Sequence, residues 1–63
     1  MTTETIADRA RRLTRERRTS HAVMVDRETE PARHYIITAD DLDRGIADGY
    51  LFDDEICEIY EVV

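Results

Sequence analysis

Lysine, asparagine, glutamine and tryptophan are absent from this 63-residue chain, and cysteine and proline occur once each. A lone cysteine, Cys57, excludes an internal disulfide, so no covalent staple offsets the small core of so short a chain. No apolar run approaches the roughly 18 residues that span a membrane. The first residues, MTTETIADRARR, also lack the apolar centre of a secretory signal. A cytoplasmic location with no membrane partner is the expectation. With lysine missing, all nine positive charges are arginine. That bias fits a GC-rich coding sequence better than a need for guanidinium at every site.

What the chain has is charge: 38% of residues are charged and the net charge is −6. A domain of this size buries only about 60% of the surface its unfolded chain exposes, so one small domain over residues 1–63 is the expectation. Residues 1–27 carry seven arginines against four acids, a net +3, and residues 28–63 carry two against eleven, a net −9. Adaptation to a salty cytoplasm would spread acid throughout. This chain is bipolar.

Residues 4–18 read as a helix: Ile6, Ala10 and Leu13 share one stripe with Ala7 beside it, and Thr3 or Thr5 can cap it. Two large apolar residues on that stripe predict light packing. HAVMVD and RHYIIT read as strands of a hairpin, joined by RETEPA around the only proline. Thr38 can cap a second helix over residues 39–48, with Leu42 and Ile46 on its buried side. Gly49 would end that helix, and Tyr50 would fold back onto it. The tail, DDEICEIYEVV, fits either an amphipathic helix or a strand. The need of two strands for a third favours the strand. The expectation is an α+β fold of order α-β-β-α-β, a small three-stranded antiparallel sheet with helices packed on one face. YLF would add an edge piece through a turn at Asp53-Asp54.

No catalytic signature is present. The carboxylates of TADDLDRGIADGYLFDDE suggest a calcium loop, but the spacing fails. Counting from Asp41 puts Gly45 and Ile46 at positions 5 and 6; counting from Asp40 puts Leu42 and Arg44 at positions 3 and 5. His21, His34 and Cys57 form no paired metal motif, and Cys57 reads as a small core residue. No metal, cofactor or catalytic residue is expected, because so small a chain can hardly enclose a cavity that separates two pKa values.

Two surfaces remain. Arg11, Arg12, Arg15 and Arg18 form a basic side of the first helix, partly answered by Asp8 and Glu16. Such a side can track phosphates, though no aromatic lies among them to stack bases. Asp40, Asp43, Asp48, Asp53, Asp54 and Glu55 form an acidic surface, with Tyr50 and Phe52 as apolar anchors unless they join the core. Asp40 and Asp41 also serve the start of the second helix; local structure asks nothing of the other acids.

In size, acidity, mixed α/β pattern and lack of a catalytic set, the chain resembles the small phage-encoded anti-defence proteins, among them the anti-CRISPR proteins. The resemblance implies a DNA-mimicking inhibitor in the host cytoplasm that occupies the DNA-binding channel of a nuclease complex. The basic first helix departs from a uniform mimic. A basic front with an acidic, apolar back is instead similar to antitoxins. The expected function is therefore a non-enzymatic interaction module whose acidic surface meets a basic protein or nucleoprotein complex. The alternative is a small nucleic-acid-binding regulator or antitoxin acting through the arginine helix, as a monomer or homodimer.

Overall fold

A computed structural model describes residues 3–63. The chain runs α1 (Ile6–Arg17), β1 (His21–Asp26), β2 (Arg33–Thr38), α2 (Ala39–Ala47), a 3-10 turn (Asp53–Glu55) and β3 (Ile56–Tyr60). The strands form one antiparallel sheet in the order β2-β1-β3. Class, element order and sheet are those the sequence predicts, and the ambiguous tail is a strand.

Both helices start where a threonine side chain can accept a free amide. Thr5 Oγ1 accepts from Asp8 N at 3.1 Å, and Thr38 Oγ1 accepts from Asp41 N at 3.2 Å. Arg18 closes α1 in the left-handed region, at φ 51°. Gly49, at φ 82°, takes the same region after α2, where a Cβ would be strained.

The helices divide between the two faces of the sheet, which differs from packing on one face. Side chains alternate along β1. Ala22 and Met24 point to one side and pack with Leu42 of α2, flanked by Tyr35, Ile37, Ile46, Leu51 and Ile56. His21 and Val23 point to the other side and are also buried, beneath α1. Thr14 of α1 sets its Oγ1 3.2 Å from His21 Nδ1, while its hydroxyl donates to Ala10 O at 2.8 Å. His21 Nδ1 also lies 2.6 Å from Thr19 O, so both neighbours assign it the proton. A buried polar pin thus adds to the few apolar contacts of α1. The physical reason for two faces is that β1 is apolar on both sides, and each side needs cover.

Cys57 is exposed, against the expectation of a core residue. The register explains it. Val23 pairs with Glu58 but Met24 pairs with Ile56, so a bulge leaves Cys57 without a partner and turns Ile56 toward the core. YLF is not an edge strand either. Leu51 N and Tyr50 N both donate to Gly45 O, at 3.1 and 2.9 Å, and Leu51 packs under α2 in the place expected for Tyr50.

Candidate functional site

The acidic surface has three parts. On α2, Leu42 and Ile46 face the sheet, which leaves Asp40, Asp41, Asp43 and Asp48 exposed, with Arg44 the one cation among them. The 3-10 turn presents Asp53 and Asp54. The third part was not legible in the sequence: the end of the β1–β2 hairpin brings Asp26 and Glu28 beside Glu55. These three carboxylates line a cleft of about 280 Å³ with Tyr35, Tyr50, Leu51 and Phe52. Tyr50 is 80% exposed and Phe52 60%. Neither folds into the core, because Leu51 between them does. The Tyr35 phenol is pushed up from 10.0, first by burial and then by the charges of Glu55 and Asp26.

Three of the acids have local duties, and Asp26 Oδ1 accepts from Glu28 N at 3.0 Å. Glu55 Oε1 accepts from Phe52 N at 3.1 Å and so fixes the turn that aims Phe52 outward. Asp54 is held by Arg27, whose guanidinium lies 3.2 Å from its carboxylate and 2.7 Å from its carbonyl. That clamp ties the turn to the hairpin. Arg27 lies 27 residues from its partner, so spacing along the chain does not reveal the pair. Asp40, Asp43, Asp48 and Asp53 make no side-chain hydrogen bond or ion pair among the described residues.

The arginines of α1 do not act alike. Arg12 binds Glu4 through two hydrogen bonds, at 2.8 and 3.0 Å, and lies 3.8 Å from Glu16. Hydrogen bonding from Arg12 holds the Glu4 carboxyl below its ordinary 4.5. Asp8 pairs with Arg11 at 3.6 Å, and Arg11 also stacks over the Tyr60 ring at 5.7 Å. Arg15 and Arg18 have no ion pair among the described residues. With Arg11 they line a groove of about 810 Å³ whose other wall is β3 and the residues after it.

His21 and His34 sit at opposite ends of the hairpin, opposite Thr38 and Val25 respectively, so the sheet holds them apart. Among the described residues no three His, Cys, Asp or Glu side chains converge in a metal-binding arrangement. No helix among them is long and apolar enough to cross a membrane. Comparison with known proteins finds no significant match to any family model, curated protein or solved structure.

Proposed function

We propose that the protein is a non-enzymatic interaction module, an inhibitor of anti-CRISPR type, that offers its acidic surface to a basic nucleic-acid-binding protein or nucleoprotein complex. The observation that carries this reading is the pair of outward aromatics, Tyr50 and Phe52, set among Asp26, Glu28 and Glu55. Solubility alone explains exposed carboxylates. It does not explain two large aromatics left in solvent beside a cleft, which is where interface energy concentrates. Arginine is the fitting occupant of such a cleft, since its plane stacks on aromatic rings and its donors reach carboxylates. The free carboxylates of α2 and Asp53 would add long-range steering toward a basic groove.

The test measures whether the protein displaces labelled random-sequence duplex DNA from purified nuclease complexes, across a range of salt. Displacement that weakens with salt and is lost on combining Tyr50→Ala with Phe52→Ala supports the reading. Binding of the duplex by the protein itself, abolished by Arg15→Ala, refutes it. That result would support the regulator reading, which Arg15 and Arg18, without an ion pair among the described residues, favour.

A further inference from the structure

The basic groove, at about 810 Å³, is larger than the acidic cleft, and three features beside it lack partners among the described residues. β3 is an edge strand, flanked only by β1, so one row of its backbone groups is free. Ile59 on that strand is 52% exposed, and Val62 beyond it is exposed too. Arg15 and Arg18, on the opposite wall, have no carboxylate among the described residues.

We propose that a second copy of this chain fills the groove, its β3 pairing antiparallel with this β3 about a two-fold axis normal to the sheet. Such an axis keeps each face of the sheet on its own side. Placing Ile59 opposite its own copy lets the two exposed isoleucines cover each other on the α2 side, the side Ile59 shares with its partner Ala22. Glu58 of each copy then lies opposite Tyr60 of the other on the α1 side, since Glu58 and Tyr60 pair with Val23 and His21. Tyr60 is the ring under Arg11. Glu58 thereby enters the field of an arginine row that lacks its own acid at two positions.

The spacings agree. Arg11 to Arg15 rises about 6 Å along the helix, and alternate residues on one face of a strand lie about 6.6–6.8 Å apart. An acidic strand from another protein would answer the arginines but not cover Ile59 with an identical apolar neighbour, so a second copy fits better. The acidic cleft, at the Asp26 end of β1, stays open in this dimer. The inference therefore stands apart from the function proposed above.

The test begins with light scattering on the unmodified protein at low salt, where twice the 7.4 kDa chain mass is expected. Arg15→Glu and Glu58→Arg should each raise the dimer dissociation constant about tenfold or more, and combining them should restore pairing. Both residues are exposed, so neither reversal disturbs the core. A nitroxide on the native Cys57 gives a second readout. The Ile59-centred register sets the two Cys57 Cα atoms about 14 Å apart, so dipolar broadening is expected in the dimer. A monomer at every concentration overturns the proposal, as does a dimer indifferent to both reversals or one without Cys57 broadening. A monomer that binds polyglutamate in the groove overturns it in favour of an acidic partner.

Discussion

Gly45 sits inside α2, where glycine costs about 1 kcal/mol relative to alanine, so Gly45→Ala should stabilise the protein if helix propensity decides. The structure says otherwise. A Cβ built on Gly45 would lie 2.5 Å from Leu51 Cδ1 and 2.8 Å from Leu51 Cγ. Leu51 cannot simply retreat, because its amide is held by Gly45 O at 3.1 Å and its side chain packs on the core. Overpacking of this kind costs about 1–3 kcal/mol, which exceeds or cancels the helix gain and predicts a net loss of about 0–2 kcal/mol. In a Leu51→Ala background the obstructing atoms are gone. There the same Gly45→Ala change should stabilise by about 0.5–1 kcal/mol. Urea unfolding of the four proteins, followed by circular dichroism at constant m, gives the coupling directly. Additivity within about 0.5 kcal/mol would refute the reasoning, as would full stabilisation by Gly45→Ala alone. The outcome bears on function too, since Leu51 is what leaves Tyr50 and Phe52 facing solvent.

Met24 is the largest fully buried side chain, and Met24→Ala should cost about 2–5 kcal/mol in urea unfolding. A chain of this length has about 3–9 kcal/mol in total, so the variant loses a large share of its stability, and a loss below about 1 kcal/mol would contradict the assigned core. Tyr60 holds its proton above 10.0, first through the hydrogen bond its hydroxyl donates to Glu58, and Tyr35 does so chiefly by burial. Folding favours the protonated phenols, so their contribution is complete below pH 10 and is lost as pH rises through the raised values. Phenolate absorbance should show both titrating later than in the denatured chain, and Glu58→Gln should bring Tyr60 down; an unchanged titration would contradict that hydrogen bond.

The sequence by itself determined the local order of this protein. Threonine caps at Thr5 and Thr38, the apolar stripes of both helices, the β-branched runs of the hairpin and the glycine after α2 are short-range devices, readable within a few residues of where they act. The bipolar charge is equally a property of the chain. Tertiary structure decided everything that depends on distant partners. It put α1 and α2 on opposite faces because β1 is apolar on both sides. It sent Cys57 outward through a bulge against β1, and Tyr50 outward because Leu51 took the space beside Gly45. Asp26 and Glu28 joined the acidic surface only because the hairpin end meets the turn that Arg27 clamps. Spacing along a chain predicts which side chains share a face of one element; which element covers that face depends on packing between residues far apart in sequence.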